Sequence, residues 1–468
     1  MTKIGILAYG SLIRDPGVEI QPLVAERIAT QSPFPVEYAR LSRSRGGGPT
    51  VVPHTSGKPV PATILVLKNS VSLAEAKNLL WRRETRNEGT GKLYVEGSSP
   101  GSVLVKDSPG LQGIGHVLFT DFPPSGKVAH PDAHSLAKAA VASVAKAPIG
   151  KDGISYLMQL VESGVETALT GEYCAEVLLL TGAKTLLQAA GWLQANRVVK
   201  QLERKLCERA GPRVDARGYF PTVEDNLIPG VHLRQFDQDL RAGAGHELDQ
   251  KFRAVRSSTA LVVNAFAPFK EQPGALLLLE RLGVGGLRFE KSLPTGLRGT
   301  APHLDVWLER ENGVVGIESK LLEYFAPKKA KFAGSYERAA LPRAEDCWWE
   351  ALEEAKRAGN RQLDVAQLVK HYLGLSNHLR PANGISATLL YLFWEPSNAS
   401  ELAVCRQHRS EIEQLAGKVT NSKVSFAWKS YPELWEEWSI HAASSVQVDH
   451  FDLAAHVEHL RRRYSVAL

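Results

Sequence analysis

Apolar and polar positions in the second half of the chain predict two adjoining strands. The apolar runs cover 303–309 and 313–320, and a Glu-Asn-Gly turn separates them. Strand side chains alternate between faces, so Glu318 and Lys320, which are two residues apart, leave the same face. A hairpin of this length brings Asp305 back beside Glu318. The pattern therefore predicts two carboxylates and one ammonium group at a single point.

Further patterns in this half predict helices and strands around the hairpin. Period-3.6 and apolar patterns predict helices, and β-branched or aromatic runs predict strands. One predicted helix leads into 251–255 from the residues before that range. The other predicted helices cover 276–282, 366–375, 400–415 and 451–464. The predicted strands cover 289–293, 387–394 and 424–428. This order predicts an α/β domain with a mixed sheet flanked by helices.

The first half of the chain begins with a buried strand at 3–8, which breaks into Tyr9-Gly10-Ser11-Leu12. Strands are predicted at 50–54 and 59–67, and Ser72 caps a helix from Leu73 to about Arg86. An amphipathic helix from 186 to 210 is a plausible connector. We therefore expect a first domain at 1–195, a helical connector and linker at 196–230 and a second domain at 231–468.

Composition sets limits on the class of protein. The 468 residues are 44% hydrophobic and 23% charged, which is typical of globular domains with sizeable cores. The net charge of +6 permits a polyanionic partner. The scattered cysteines, Cys174, Cys207, Cys347 and Cys405, suggest a reducing cytoplasm and no disulfide framework. We expect no signal peptide and no membrane span.

The acidic cluster has a specific chemical use. Two carboxylates can hold Mg²⁺ or Mn²⁺, and the ion can polarise a phosphate and activate a bound water. The spacing of Asp305, Glu318 and Lys320 resembles the PD-(D/E)XK nuclease superfamily, which implies a restriction-endonuclease-like fold and DNA cleavage. Pro302 does not directly precede the aspartate, which departs from the family pattern. The simpler alternative is an exposed hairpin with a charged face.

Other residues of this half are candidates for the same site. Glu247, at a predicted helix start, is a candidate third acid and metal ligand, although the helix dipole explains a glutamate there equally well. A lysine group after the hairpin could touch nucleic-acid phosphates, although such runs are usually only solvated. Two polar residues of the helix behind the sheet could face the site. These candidates are Lys328, Lys329, Lys331, Gln367 and Lys370.

The first domain resembles the γ-glutamylcyclotransferase-like fold, in its glutathione-degrading branch. The resemblance rests on Tyr9-Gly10-Ser11-Leu12 after the first strand and on an Arg-Glu pair at a helix end. It implies an α+β barrel in which that loop binds a γ-glutamyl group and Glu84 is the general base that leads to 5-oxoproline. Glu84 could equally be a solvated charge, because three arginines flank it, and those arginines would suit an anionic ligand.

Three functional interpretations follow. The first is a Mg²⁺-dependent nuclease acting on DNA, with RNA left open, whose N-terminal domain processes or senses a small γ-glutamyl or other anionic ligand. By analogy, such a pairing suits bacterial defence. The second is a γ-glutamylcyclotransferase with a non-catalytic nuclease-like appendage. The third is a binding protein without catalysis. The oligomeric state is left open.

Overall fold

A computed structural model of the chain describes residues 2–97, 102–242, 251–297, 301–341, 344–379, 385–444 and 451–468. The chain divides into two compact units, residues 1–194 and 195–468. A long helix, α5, runs from Leu186 to Ala210 and includes the point of division. No helix in the described residues is long and apolar enough to cross a membrane.

The first unit is α+β. Its strands are β1 (Ile4–Ala8), β2 (Val24–Gln31), β3 (Val36–Ser42), β4 (Gly48–Pro53), β5 (Pro61–Leu67), β6 (Leu104–Asp107) and β7 (His116–Asp121). Its helices before α5 are α1 (Leu73–Thr85), α2 (Ala133–Ser143), α3 (Gly153–Glu162) and α4 (Thr170–Thr181). Ser72 caps α1 as predicted, because its side chain accepts a hydrogen bond from the backbone N–H of Glu75 at 3.2 Å.

The strands of the first unit form an open sheet and a separate ribbon. The sheet has the order β2-β5-β1-β7-β6, and β3 pairs with β4 in a separate two-stranded ribbon. Strand β1 is antiparallel to β5 and parallel to β7, and its buried residues Ile6 and Ala8 join a core with Leu79 and Leu80 of α1. No closed barrel is present among the described residues, so the barrel that the resemblance implied is not confirmed.

The second unit surrounds a mixed five-stranded sheet with helices. Its strands are β8 (Leu277–Leu278), β9 (Arg281–Leu282), β10 (Gly286–Ser292), β11 (His303–Arg310), β12 (Gly313–Lys320), β13 (Ser386–Phe393) and β14 (Val424–Ser430). Its helices after α5 are α6 (Asp237–Ala242), α7 (Ser258–Phe266), α8 (Asp346–Arg357), α9 (Val365–His378), α10 (Ala403–Lys418), α11 (Tyr431–Ser444) and α12 (Leu453–Tyr464).

The main sheet has the order β10-β11-β12-β13-β14. Strand β11 is antiparallel to both β10 and β12, whereas β12, β13 and β14 run parallel to one another. Helix α7 contacts β11 and β12, whereas α9 contacts β13 and β14. Strand β12 is therefore central and almost fully buried, which explains its continuous apolar run. This sheet flanked by helices is compatible with the predicted C-terminal domain.

One predicted helix is wrong. Residues 276–282 form the hairpin of β8 and β9, because Leu279 and Glu280 both have positive φ (52° and 60°) and make a tight two-residue turn. The helix predicted to lead into 251–255 lies partly outside the described residues; Lys251 is helical, 252–255 form a turn region, and Ala254 pairs with Tyr219 through an isolated bridge. A short apolar run does not distinguish a helix from a buried strand by periodicity alone.

Candidate active site

The hairpin of β11 and β12 brings the predicted acids together. Val306 pairs with Ile317, and one residue further along this antiparallel ladder Asp305 stands opposite Glu318. The Asp305 carboxylate accepts a hydrogen bond from the backbone N–H of Ser319 at 2.6 Å. Residues that stand opposite in an antiparallel pair share a face of the sheet. Both carboxylates therefore lie on the face from which Lys320 also projects.

Glu318 is the most enclosed member of this group. The residue is 1% exposed, and each carboxylate oxygen has a cationic or imidazole neighbour. Lys320 Nζ contacts Oε1, and His371 Nε2 of α9 lies 2.7 Å from Oε2. A buried carboxylate is tolerated when it is paired in this way. The packing of α9 against the sheet therefore fixes Glu318 from the side opposite to Lys320.

The pKa values of the two acids in the cluster shift in opposite directions. Burial alone would raise the pKa of Glu318, but Lys320 and His371 hold it well below its usual range. The pKa of Asp305 is instead raised, first by burial and then by the Glu318 charge. Burial alone would lower the pKa of Lys320, but Glu318 and Asp305 raise it, so the ammonium stays charged. Of the two acids in this cluster, Asp305 is the one whose negative charge the surroundings oppose.

A divalent cation beside Asp305 and Glu318 would favour the charged form of Asp305, because its positive charge would offset the two adjacent carboxylates. Two carboxylates are an adequate protein contribution for Mg²⁺, which keeps several waters. Within the described ranges, no group of three or more His, Cys, Asp or Glu residues has metal-ligand spacing. The residues therefore fit a hydrated hard cation rather than an ion held entirely by side chains.

Glu290 of β10 is a further acid that sequence analysis missed. It lies between the pairs Phe289–Val306 and Lys291–Leu304, which share one register, and it has a positive φ of 51°. Its charge contributes to the raised pKa of Asp305. Sequence analysis instead proposed Glu247, which lies outside the described residues. Positive φ at a non-glycine residue is uncommon and often occurs near functional sites.

A basic groove of about 720 Å³ opens beside the acids. His303, at the start of β11, and His371, which contacts Glu318, both line it. The candidate lysines and glutamine proposed from sequence also line it, namely Lys328, Lys329, Lys331, Gln367 and Lys370. These lysines have no ion pair within the described part of the chain. We refer to this feature as the lysine groove.

In the first unit, Arg83 contacts both the loop at residues 9–12 and Glu84. The Arg83 guanidinium donates to Ser11 Oγ at 3.3 Å and forms an ion pair with Glu84 at 2.9 Å. Tyr9 donates to the carbonyl oxygen of Thr120 at 2.7 Å, and its pKa is raised by burial and by the Glu84 charge. Leu12, the last residue of the loop, is buried in the hydrophobic core of the unit.

Two basic residues and a tyrosine that sequence analysis did not select lie near the same loop. The Arg45 guanidinium stacks on the Tyr156 ring at 4.4 Å. A Cβ atom placed on Gly10 would lie 3.0 Å from the Tyr156 hydroxyl, so the loop and this tyrosine are in close contact. The Arg40 guanidinium lies over the Phe122 ring at 4.0 Å. Burial lowers the pKa of Arg40, and the Glu84 charge raises it in part. Glu84 therefore lies in strongly basic surroundings.

The mixed sheet flanked by helices, with an acid on one strand and Glu-x-Lys on the next, is compatible with a restriction-endonuclease-like domain. A family model, REase-ARP, described as restriction endonuclease associating with ARP, matches residues 200–465. Because this match covers more than half of the chain, the protein belongs to that family. The family indicates nuclease activity with DNA as the substrate. The chain has no significant match among curated proteins or solved structures.

Proposed function

We propose that the second unit is a Mg²⁺-dependent endonuclease that hydrolyses DNA phosphodiester bonds, with Mn²⁺ able to replace Mg²⁺. The observation that carries the proposal is the shared face of Asp305, Glu318 and Lys320 at the end of one hairpin. Membership of the restriction-endonuclease family supports the same chemistry. An exposed charged hairpin without function would not bury Glu318 or pair it with a histidine from a distant helix.

Each residue then has a distinct task. Asp305 and Glu318 hold the cation, which when bound neutralises phosphate charge and lowers the pKa of a water. Lys320, kept charged by Glu318, orients the attacking water or offsets the charge that builds up on the phosphate. His371 positions Glu318 from the opposite side. His371 is therefore a positioning residue.

The lysine groove gives the nucleic acid a path to these residues. Lys328, Lys329 and Lys331 are exposed, and they line the same groove as His371. Exposed cations without carboxylate partners are available to bind phosphates, and such binding is independent of base sequence. The groove therefore supplies affinity, and the acids supply the chemistry.

Incubation of the protein with supercoiled plasmid and Mg²⁺ tests the proposal. We expect nicked and linear products with Mg²⁺ or Mn²⁺ and intact plasmid with EDTA, because both acids need the cation for the reaction. Linear single-stranded and RNA substrates in parallel reactions define the substrate. Equal cleavage by the wild type and the Asp305→Asn variant would assign the activity to a contaminant and reject the proposal.

A second proposal concerns the first unit, which we infer binds a small γ-glutamyl-like or other anionic ligand. Its support is the contact chain from Ser11 through Arg83 to Glu84, together with the nearby cations Arg40 and Arg45. The alternative activity, release of 5-oxoproline by Glu84, belongs to the same site. Assay of 5-oxoproline release from glutathione separates ligand binding from cyclisation.

We also propose that the protein works in a reducing compartment, the cytoplasm. All four cysteines are free: Cys174, Cys207, Cys347 and Cys405. A pairing of ligand sensing with DNA cleavage suits a role in bacterial defence. Measuring cleavage with and without a reductant tests the assignment to a reducing compartment. Activity that requires an oxidant would contradict this assignment.

A further inference from the structure

A second basic cavity lies in the same unit and shares no lining residue with the lysine groove. Its volume is about 560 Å³. The C-terminal end of α5, the segment 224–233 and the end of α12 form its walls. Arginines line it from two of these walls: Arg209, Arg213, Arg462 and Arg463. We call this cavity the arginine cleft.

Arg463 is the unusual residue of the arginine cleft. It is only 7% exposed, and no carboxylate in the described part of the chain forms an ion pair with it. One guanidinium nitrogen, Nη2, donates to Asn226 Oδ1 at 3.2 Å. The other, Nη1, is buried and has no hydrogen-bond partner among the described residues. A buried cation without a counter-charge destabilises a fold, so an arginine here has a cost that a bound anion would offset.

The surroundings of Arg463 do not supply the missing negative charge. Its guanidinium lies over the rings of Phe220 and Tyr464, at 5.3 Å and 4.9 Å. Burial lowers its pKa, Tyr464 raises it in part, and the nearby charge of Arg213 lowers it again. Ring faces stabilise a guanidinium only partly and provide no acceptor oxygen. The local chemistry therefore favours a ligand with oxygens that accept from guanidinium groups.

The acids of the arginine cleft do not balance its arginines. The Asp225 carboxylate accepts hydrogen bonds from the backbone N–H and the hydroxyl of Thr222, at 3.1 Å and 2.8 Å. It therefore holds the turn at the cleft wall. Glu224 is exposed, whereas two histidines, His232 and His459, add donors to the lining. Arg462 forms an ion pair with Glu458 of the same helix at 3.6 Å, whereas the other three arginines have no carboxylate partner among the described residues. The cleft thus has an excess of cations and of hydrogen-bond donors.

We infer that the arginine cleft binds the phosphate group of a ligand, at a site separate from the nuclease residues. Guanidinium groups pair with phosphate oxygens through two parallel hydrogen bonds, which a single lysine cannot do. A volume of about 560 Å³ falls in the range of small-ligand sites and accommodates a nucleotide. The phosphate could belong to a free nucleotide or to a nucleic-acid backbone, and both sources present the same oxygens.

Direct binding measurements on the full-length protein in EDTA test this inference without cleavage. Calorimetric titrations use inorganic pyrophosphate and ATP, and fluorescence anisotropy uses a labelled 12-nucleotide single strand. We expect saturable binding of at least one probe. The exposed pair Arg209→Gln/Arg213→Gln should weaken it at least about tenfold, because each lost charge-assisted hydrogen bond reduces affinity by roughly that factor. Arg463→Lys, which keeps the charge but loses the planar fork, should also weaken it.

Arg217→Gln is the matched control, because Arg217 is exposed on the same segment and does not line the cleft. It should bind the probes like the wild type. Binding of ATP or pyrophosphate that depends on the arginines identifies a free phosphorylated ligand, whereas binding of the oligonucleotide alone identifies a backbone phosphate. No saturable binding of any probe, or equal binding by the wild type and the double variant, overturns the inference. Neither of these two negative results bears on the proposed nuclease activity, because the cleavage assay tests the residues around Asp305 and not the arginine cleft.

Discussion

His371 Nε2 of helix α9 lies 2.7 Å from Glu318 Oε2 of strand β12, and both residues are about 1% exposed. This contact joins a helix to the central strand at the point where the proposed metal ligands meet. Because Lys320 holds the other oxygen of the same carboxylate, Glu318 has little rotational freedom. A fixed carboxylate reduces the entropy lost when a cation binds.

The first prediction concerns this positioning contact. His371→Ala should lower the affinity for Mn²⁺ by about 10- to 100-fold, the range typical of residues that orient metal ligands. Isothermal titration calorimetry with Mn²⁺ measures the change, and His371→Gln, which retains a hydrogen-bonding group, should recover part of the affinity. His378→Gln, on the same helix, is the control and should bind Mn²⁺ normally. Unchanged affinity in His371→Ala would show that the contact has only a structural role.

The second prediction separates catalysis from folding at Asp305. Asp305→Asn should reduce Mg²⁺-dependent cleavage by about 100-fold or more, because the site loses a metal ligand and stabilising charge. The raised pKa of Asp305 means that its charge is unfavourable in the metal-free fold. The Tm of the metal-free variant should therefore equal or exceed that of the wild type. Glu311→Gln, in the exposed turn of the same hairpin, should retain full activity.

The outcome that would contradict this prediction is a lower Tm in Asp305→Asn together with lost activity. That result would mean that the carboxylate serves the fold and not the reaction. Melting curves recorded with and without Mg²⁺ distinguish the two cases, since only a metal ligand makes the Tm depend on the ion.

The third prediction concerns the lysine groove. The double variant Lys329→Gln/Lys331→Gln should bind duplex DNA more weakly, and the slope of log Kd against log salt should fall by about one unit per lysine. Anisotropy in EDTA across a salt series measures both effects. Lys423→Gln, an exposed lysine of the same unit outside the groove, should change neither. Equal slopes in the wild type and the double variant would exclude the groove as the DNA path.

The fourth prediction is a pH dependence of stability that comes from His456. Burial lowers the pKa of this imidazole from 6.5 to about 4, and its Nε2 lies 3.1 Å from the carbonyl oxygen of Ala265. Between these pH values the unfolded chain binds a proton that the folded chain does not. Stability should therefore fall as the pH drops from about 6.5 to about 4, by up to roughly 3 kcal/mol.

Urea denaturation at several pH values measures this effect. His456→Gln keeps a donor for Ala265 but cannot titrate, so its stability should depend less on pH in that window. Buried His408, whose pKa is also lowered by burial, contributes in the same direction and remains in both proteins. Identical pH profiles for the wild type and the variant would refute the assignment to His456.

The fifth prediction concerns the first unit. If the unit cyclises a γ-glutamyl substrate, Glu84→Gln should reduce 5-oxoproline release by about 100-fold or more, the loss typical of a general base. Glu172→Gln, an exposed acid of the same unit, should have no effect. If neither protein releases 5-oxoproline but both bind the substrate, the unit is a sensor. Release that does not depend on Glu84 would reject its catalytic assignment.

The sequence predicted the hairpin of β11 and β12 well, for a physical reason. The strands were predicted at 303–309 and 313–320, and they are observed at His303–Arg310 and Gly313–Lys320. A buried strand needs a nearly continuous apolar run, and the short turn at Glu311 and Asn312 sets the register. Register in turn fixes which side chains share a face, so the grouping of Asp305, Glu318 and Lys320 was available from spacing alone.

The contact between Glu318 and His371 could not be predicted from the spacing of residues in the sequence. Sequence analysis favoured Gln367 and Lys370 on α9 as polar residues, and both line the lysine groove. His371, four residues after Gln367, lies on the same helix face but is buried among apolar positions. Its contact with Glu318 depends on how α9 packs against the sheet, which no local pattern encodes. Glu290 was missed for a similar reason: it lies inside the predicted strand 289–293, but its proximity to Asp305 depends on how β10 pairs with β11.

Crystals soaked in Mn²⁺ and measured for anomalous scattering test the central claim most directly. We expect one peak in the second unit within about 2.0–2.4 Å of oxygens from both Asp305 and Glu318, the range for hard divalent cations. The peak should disappear in Asp305→Asn crystals treated identically. An absent peak at a saturating Mn²⁺ concentration, or a peak bound elsewhere while the Glu318–Lys320 and Glu318–His371 pairs stay closed, would contradict a metal-dependent nuclease site.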